Sequence, residues 1–299
     1  MTIPLRTVII PAAGQGTRLL PLTRVVPKEM LPVYDRPVLQ FAIEEAVAAC
    51  AERIVIIIHP SKTVIRDYLQ PDPDQIGRVR LSGKDPLADP LTRIGVGDGI
   101  DLVFVMQDDP LGLGHAVLCA APYVLPGPIG VILPDDVVFG LPCLAQMAAA
   151  YQSGHMVAAM TVPRSDTAKY GIFAPMGLSD SRSVRVSGMV EKPPHGTAPS
   201  TLAAVGRYIL DARIMDTLTR TKAGRGGEVQ LTDAIASDAA HLPLTAFRFA
   251  GNRYDCGTFE GLLAAGVAQQ TKRGESHRAP ASNSIIRDTS PEHMSEGHG

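Results

Sequence analysis

A glycine-rich turn followed by three cations stands near the start of the chain, between Val8 and Pro32. The apolar run VIIPAA ends at the turn GQG, and Arg18, Arg24 and Lys28 follow in a stretch interrupted by prolines. Glycines let backbone N–H groups approach phosphate oxygens, and the guanidinium of arginine suits polyphosphate recognition. The prolines forbid a continuous helix and stiffen the loop that carries the cations. This segment predicts a phosphate-binding loop.

The glycine spacing alone does not identify the ligand. Leu19 occupies the place of the third glycine in a dinucleotide fingerprint, and the G-K-[ST] of a P-loop is missing. Taken alone, G-x-G favours an ordinary glycine turn beside a solvated basic loop. Two observations favour a functional loop instead. The turn follows a first strand, which is where open α/β sheets bind ligands, and the glycines, cations and prolines occur together in GQGTRLLPLTRVVPKEMLP.

Charged residues also follow three later apolar segments. Asp135 and Asp136 close the run VILPDD, and Asp255 precedes a glycine in RYDCGT. Glu191 and Lys192 end a strand in VEKP. A carboxylate at a strand end can hold a hard cation. Alternatives stay open at this point, because Asp136 can be a cap or turn residue, Asp255 can belong to a turn, and the E–K pair can be a surface ion pair.

The composition is that of an ordinary globular protein. The 299 residues include 28 basic and 30 acidic side chains, for a net charge of −2, and 45% are hydrophobic. This balance excludes a basic nucleic-acid footprint and a polybasic membrane surface, and no apolar run reaches the roughly 18 residues of a membrane span. The start, MTIPLRTVII, lacks the parts of a signal peptide, and the scattered cysteines fit no zinc spacing. We therefore expect a cytoplasmic protein with reduced thiols.

Alternating strand and helix patterns must position the charged residues. Near-continuous apolar runs, typical of strands buried on both faces, lie at 6–12, 53–59, 101–107 and 129–136. Helical patterns separate them at 37–51, 61–69 and 114–124. This alternation predicts a mostly parallel sheet covered by helices. Shorter and more polar strands follow, with a last helix beginning near Phe259.

Taken in order, these motifs resemble the nucleotidyltransferase signature of sugar-nucleotide pyrophosphorylases. The matching segments are G-x-G-T-R-x-x-P-x-T, P-K-E-M-L-P, QDDPLGLGHAVLCA, VILPDD, KYGIF, VEKP, VGRYIL, EVQLTDAI and YDCGT. The closer resemblance is to bacterial UTP–glucose-1-phosphate uridylyltransferases, and it covers roughly residues 5 to 270. In one departure, Gly227 stands where that family usually has an acidic residue, and we expect the adjacent Glu228 to be structural or interface-forming.

The resemblance implies an α/β protein with a Rossmann-like three-layer α/β/α nucleotidyltransferase fold. Its central sheet would be mixed but mostly parallel, with a smaller β-rich sugar-binding extension. A single catalytic domain is expected over 1–272, with a nucleotide-binding part at about 5–160, a sugar-binding part at about 161–258 and a C-terminal helix at about 259–272. The polar residues 273–299 lie outside the resemblance and predict a disordered tail.

The resemblance also implies the reaction. A uridylyl group would pass from UTP to α-D-glucose 1-phosphate, giving UDP-glucose and pyrophosphate. Since the attacking phosphate oxygen is already anionic, the reaction needs no general base, but it needs charge neutralisation, in-line alignment and a metal, expected to be Mg²⁺. A homodimer or homotetramer is expected, with no nucleic-acid or membrane partner. A thymidylyltransferase on the same sugar phosphate and a regulatory homologue without turnover remain as alternatives.

By the same resemblance, individual residues receive roles. The residues expected to act in the transfer are Arg18, Lys28, Asp135 and Lys192. Those expected around the nucleotide are Ala13, Gly14, Gly16, Thr17, Arg18, Glu29, Gln107 and Gly112, with Gln107, Gly112 and Glu29 near the uracil. Those expected around the sugar phosphate are Gly171, Glu191, Lys192, Val205 and Gly206, and the expected metal ligands are Asp135 and Asp255. His115 is expected at least as much to pack locally as to bind a ligand.

Overall fold

The apolar runs of the first half form strands of one large sheet. The computed structural model describes residues 3–278 apart from 71, 85–87, 89, 90, 93, 98 and 178–180. The strands in chain order are β1 (Thr7–Pro11), β2 (Pro32–Val33), β3 (Arg36–Pro37), β4 (Arg53–Ile58), β5 (Asp101–Met106), β6 (Ile129–Ile132), β7 (Asp136–Phe139), β8 (His155–Thr161), β9 (Gly171–Pro175), β10 (Ser183–Glu191), β11 (Leu202–Leu210), β12 (Leu244–Arg248) and β13 (Asn252–Asp255).

Helices lie between many of these strands, as the sequence pattern predicts for the first half of the chain. They are α1 (Val38–Ala48), α2 (Thr63–Leu69), α3 (Pro73–Leu81), α4 (Leu113–Cys119), α5 (Cys143–Ala150), α6 (Ile214–Arg220), α7 (Leu231–Asp238) and α8 (Phe259–Arg278). Helix α8 continues past the predicted start of the tail at residue 273, and residues 279–299 lie outside the described residues. Within the described part, no helix is both long and apolar enough to cross a lipid bilayer.

The large sheet has the strand order β5-β4-β1-β6-β11-β8-β12-β10-β9. Parallel pairs join β5, β4, β1 and β6, and a further parallel pair joins β8 and β12. Strand β11 runs antiparallel to β6, β8 and β9, and β10 runs antiparallel to β12 and β9. The sheet is mixed, as expected, but it is not mostly parallel, because the antiparallel pairs made by β10 and β11 are no fewer than the parallel pairs.

The more polar strands of the second half do not form a sheet of their own. Strands β9 and β10 are the last members of the large sheet, so the β-rich extension continues the central sheet. Strand β7 pairs instead with β13 in a separate antiparallel ribbon. The run 129–136, predicted as one strand, is thus split by a turn between β6 and β7.

Both faces of the sheet are covered by apolar side chains. Val8 and Ile10 of β1 pack in one cluster with residues of α1, α2 and α5, whereas the intervening Ile9 packs in a second cluster with residues of α4, α6 and α7. Successive strand residues point to opposite faces, so a continuous apolar run requires this double covering. The parallel strands β1, β4, β5 and β6 end at the same edge, and their following loops meet there.

Candidate active site

The glycine-rich loop after β1 leaves its backbone donors available. The N–H groups of Gly14, Gln15 and Gly16 make no hydrogen bond within the described part of the chain. Gly16 has a left-handed backbone with φ of 66°, and its carbonyl accepts a hydrogen bond from Thr23 Oγ1 at 2.8 Å. Thr17 and Arg18 then begin a short 3₁₀ helix, Thr17–Leu19. Such an array of unpaired N–H groups suits a phosphate, as the sequence predicts.

Lys28 reaches across this edge to the turn after β6. Its Nζ lies 2.6 Å from Asp135 Oδ2, and both side chains are mostly buried. Burial alone would raise the pKa of Asp135, but attraction to Lys28 and Arg18 outweighs it and holds the pKa below its usual value. Burial alone would lower the pKa of Lys28, and attraction to Asp135 raises it instead. The pair is therefore charged in the folded protein.

Asp255 lies beside Asp135 because of the register between β7 and β13. Asp255 is paired with Asp136 in this ribbon, and the N–H of Cys256 donates to the carbonyl of Asp135 at 2.7 Å. Arg18 spans the two carboxylates, with Nη2 3.6 Å from Asp135 Oδ2 and Nη1 3.4 Å from Asp255 Oδ2. The sequence prediction that these acids share a site with Arg18 fits this geometry.

The two carboxylates face one small space. A Cβ atom added at Gly257 would lie 3.0 Å from Asp135 Oδ2 and 3.0 Å from Asp255 Oδ1, so only glycine leaves this space open. Carboxylate oxygens are hard ligands of the kind that Mg²⁺ prefers, so Asp135 and Asp255 fit such a cation. In the described residues no group of three or more His, Cys, Asp or Glu side chains could hold a metal. Further ligands would come from substrate oxygens or water.

Asp136 is a structural residue rather than a second ligand at this turn. Its Oδ2 accepts a hydrogen bond from the N–H of Gly206 at 2.8 Å, and its Oδ1 pairs with the guanidinium of Arg253. Burial raises the pKa of Asp136 in spite of Arg253. The turn interpretation of Asp136 fits the structure, because the side chain ties the turn to β11.

Glu29 is buried next to Lys28, on the same short helix. The 3₁₀ helix Lys28–Met30 follows Pro27, and successive residues of such a helix point about 120° apart. Lys28 therefore points to Asp135 while Glu29 points beneath the glycine-rich loop, where it is only 1% exposed. Its Oε2 binds Lys62 Nζ at 2.9 Å. Glu29 is not among the residues that line the cleft beside the glycine-rich loop, so its expected contact with the uracil edge stays a prediction.

Gln107 and Gly112 stand together beside the glycine-rich loop, as expected. Gln107 Nε2 donates to the carbonyl of Gly112 at 3.3 Å and lies 2.8 Å from His115 Nδ1. His115 thus packs locally and orients the amide. A Cβ atom at Gly112 would lie 2.7 Å from Glu228 Cβ, and the φ of Gly112 is +98°. Glycine is therefore required at this position, and Glu228 lies against the loop.

Glu191 and Lys192 both face a second cleft because the strand ends between them. Lys192 has a φ of +41°, which takes it out of the alternation of β10, and its N–H donates to the carbonyl of Tyr170 at 3.0 Å. Lys192 Nζ lies 3.2 Å from Glu191 Oε1. A Cβ atom at Gly171 would lie 3.2 Å from Glu191 Oε2, so a side chain here would crowd the cleft.

The expected wall of this cleft is only partly right. Ala204 and Gly206 of β11 line it, but the side chain of Val205 points to the opposite face and packs in the apolar core. Alternation along a strand dictates this result. The expected role of Val205 in the wall is therefore corrected, because its side chain does not face the cleft.

Two clefts meet at Asp135. The first has a volume of about 440 Å³ and is lined by Ala13, Gly14, Gln15, Gly16, Thr17, Lys28, Gln107 and Gly112, among others. The second has a volume of about 770 Å³ and is lined by Arg18, Gly171, Glu191, Lys192, Gly206, Arg253 and Asp255, among others. Leu113, Leu133, Asp135 and Glu228 line both. Ligands in the two clefts would therefore meet at the cationic cluster around Asp135.

Sequence reasoning missed two cations at this site. Lys62 lies beneath the glycine-rich loop, and Arg253 holds Asp136 and lies 3.6 Å from Asp255. Lys62 follows the buried strand β4, and that position at the carboxyl edge of a parallel sheet is a signal that could have found it. Arg253 stands two positions before Asp255 in RYDCGT, but nothing in the sequence shows that it faces the same turn.

Comparison with known proteins identifies the family of the chain. The nucleotidyl transferase family model matches residues 7–272. The chain is 40% identical over 261 residues to a UTP–glucose-1-phosphate uridylyltransferase of Bacillus subtilis, covering 86% of this chain and 88% of that protein.

Two solved structures are also similar. One is a UDP-glucose pyrophosphorylase complexed with UDP-glucose, with a TM-score of 0.78 and 35% identity over 90% of this chain and 100% of that chain. The other is a UTP-bound UGPase from Acinetobacter baumannii, with a TM-score of 0.81 and 34% identity over 92% and 100% of the two chains. The chain therefore belongs to the nucleotidyl transferase family, in which its relatives are UTP–glucose-1-phosphate uridylyltransferases.

Proposed function

We propose that this protein transfers the uridylyl group of UTP to α-D-glucose 1-phosphate, giving UDP-glucose and pyrophosphate. The observation that carries the proposal is the junction of two clefts at Asp135. One cleft offers a glycine-lined backbone, and the other offers Glu191 and Lys192. The names of the relatives and the UTP and UDP-glucose in the similar structures support this choice of substrates.

In the proposed reaction, a phosphate oxygen of the sugar phosphate attacks the α-phosphorus of UTP. A new P–O bond forms, and the bond from the α-phosphorus to the bridging oxygen breaks, so the electron pair leaves with pyrophosphate. No proton has to be removed from the nucleophile. The protein's task is to align the two substrates and to stabilise the negative charge that develops.

The cations at the junction supply that stabilisation. Arg18 and Lys28 converge on Asp135, and the free N–H groups of Gly14 to Gly16 lie on the same loop. The triphosphate would bind along this loop, with these groups meeting charge on the departing pyrophosphate. Water is limited around Lys28, whose side chain is 18% exposed, so its charge acts in a partly desolvated site.

The second cleft would orient the attacking sugar phosphate. Lys192 is half exposed and could pair with the phosphate, whereas Glu191 could accept hydrogen bonds from sugar hydroxyls. Gly171 leaves room beside Glu191. Gln107 and Gly112 line the same cleft as the glycine-rich loop and would lie beside the base.

A divalent cation, which we propose to be Mg²⁺, would be held by Asp135 and Asp255. It would supply further neutralisation of the phosphate charge. In the protein alone, Arg18 and Lys28 balance these carboxylates.

We also propose that residues 1–272 act as one Rossmann-like catalytic domain with helices on both faces of its sheet. A cytoplasmic address and a homodimer or homotetramer remain our predictions.

The decisive test is release of pyrophosphate by the purified protein with glucose 1-phosphate and Mg²⁺. A panel of UTP, dTTP, ATP, CTP and GTP should give the highest kcat/KM with UTP, and UDP-glucose should be identified by mass spectrometry. A clear preference for dTTP would replace the proposal with thymidylyl transfer. No pyrophosphate with any nucleotide, from a folded protein, would indicate a non-catalytic homologue.

A further inference from the structure

Beneath the glycine-rich loop, the ammonium group of Lys62 makes three hydrogen bonds. It donates to the carbonyl of Ala12 at 2.7 Å, to the carbonyl of Gly14 at 2.6 Å and to Glu29 Oε2 at 2.9 Å. An ammonium has three donors, so all of them are used inside the protein. Lys62 is 8% exposed and Glu29 is 1% exposed. None of the donors of Lys62 is left over for a ligand.

The two backbone contacts determine which way the peptide groups of the loop point. In a trans peptide the C=O of one residue and the N–H of the next point in opposite directions. Because the carbonyls of Ala12 and Gly14 point down to Lys62, the N–H groups of Ala13 and Gln15 point up, away from it. Both of these residues line the nucleotide cleft, and neither N–H has a hydrogen-bond partner within the described residues.

Glu29 is the carboxyl group that faces Lys62 at this buried position. Burial lowers the pKa of Lys62 and raises the pKa of Glu29, and the attraction between the two groups opposes both shifts. Glu29 is also next to Lys28, which reaches Asp135. One short 3₁₀ helix, Lys28–Met30, therefore carries both the cation at the junction and the anion that holds Lys62.

We propose that Lys62, held by Glu29, is a positioning residue for the nucleotide, because it orients the peptide groups that present the N–H donors of Ala13 and Gln15. The inference rests on the proposed function, since it takes the cleft over this loop to be the UTP site. Lys62 itself does not touch the substrate. Its loss should weaken UTP binding while leaving the sugar-phosphate cleft unaltered.

The test compares Lys62→Met and Lys62→Arg with the double variant Glu29→Gln/Lys62→Met. The single Met variant leaves Glu29 buried without its partner and should melt at a lower temperature. The double variant removes the charge together with its partner, so it should regain much of that melting temperature. Lys84→Met makes the same chemical change at an exposed position after α3 and serves as the control.

The measurements are UTP dissociation constants by calorimetry, KM for each substrate, and melting temperatures. We expect both Met variants to bind UTP about ten- to hundredfold more weakly, as for the loss of charge-assisted hydrogen bonds, with KM for glucose 1-phosphate within about twofold of wild type. Lys62→Arg should not restore affinity, because a planar fork cannot reach the same three acceptors. The Lys84→Met control should match wild type.

Two results would overturn the inference. The first is a folded double variant that binds UTP as tightly as wild type. The second is a sign of general destabilisation, which would be either an equal rise in KM for both substrates or a smaller fraction of active protein with both KM values unchanged. Failure of the proposed function is distinguishable, because wild type itself would then not bind UTP. If wild type preferred another nucleoside triphosphate, the same variants compared with that nucleotide would decide the role of Lys62.

Discussion

A single methyl group at Gly257 is expected to inactivate the protein without unfolding it. The added Cβ atom would lie 3.0 Å from an oxygen of Asp135 and 3.0 Å from an oxygen of Asp255, and nearer still to the guanidinium of Arg18. Ordinary contacts of this kind begin near 3.4 Å, so each carboxylate must retreat by about 0.4 Å (3.4 − 3.0). Both retreats move the acids away from the space they share.

The size of the effect follows from two terms. Overpacking costs about 1–3 kcal/mol of unfolding free energy, which is roughly 2 to 12 °C in melting temperature for a chain of this size. The guanidinium of Arg18 must move further than either carboxylate, and a misplacement of about 1 Å costs about a hundredfold in rate. We therefore expect kcat of Gly257→Ala to fall about a hundredfold in the pyrophosphate assay, with a cooperative melting transition retained.

Gly266→Ala is the matched control. Gly266 lies inside α8, and the nearest atom to its added Cβ would be the backbone nitrogen of Tyr34 at 3.8 Å, an ordinary contact. This change should stabilise the helix by up to about 1 kcal/mol and leave kcat within about twofold. A folded Gly257→Ala protein with wild-type kcat would refute the reasoning, because the spacing of the two carboxylates would then not limit the rate.

Three further predictions concern charge. Lys192→Ala should raise KM for glucose 1-phosphate far more than KM for UTP, and equal rises would place Lys192 elsewhere. Arg18→Ala and Lys28→Ala should each lower kcat about a hundredfold, or on the order of 3 kcal/mol, with a smaller change in UTP affinity; loss of affinity alone would make the loop a binding clamp only. His155 is fully buried and its pKa is lowered, first by burial, so the unfolded chain takes up its proton more readily. The unfolding free energy should therefore fall as the pH drops below about 6.5, as urea titrations from pH 8 to pH 5 would measure, and His155→Gln should reduce this dependence.

The first half of the fold could be predicted because its signals are local. Continuous apolar runs indicate strands covered on both faces, and β1, β4, β5 and β6 lie within one to four residues of their predicted ends. Strand β7 was missed, because the predicted run ended at residue 136 and the residues after it were assigned to no strand. Its partner, β13, is far away in the chain, and no local pattern indicates such a pairing.

The candidate site was predicted best where a residue's backbone position decides its role. Gly112, Asp135 and Lys192 stand at the ends of strands or in turns, and they lie at the clefts. Glu29 and Lys62 differ, because their environment is created by contacts with each other and with a loop. Glu29 was expected near the uracil and Lys62 received no role, and only the tertiary structure reveals that both are buried.

The bridge from Arg18 to Asp255 joins positions 237 residues apart in the chain. During synthesis at about 5–20 residues per second, the glycine-rich loop would therefore emerge roughly 10 to 50 s before Asp255. Until β13 pairs with β7, the junction has one acid instead of two and a guanidinium without its second partner. If Asp255 takes part in the reaction as proposed, a nascent or truncated chain that ends before β13 would be inactive, and the appearance of activity would report that nearly the whole chain has folded.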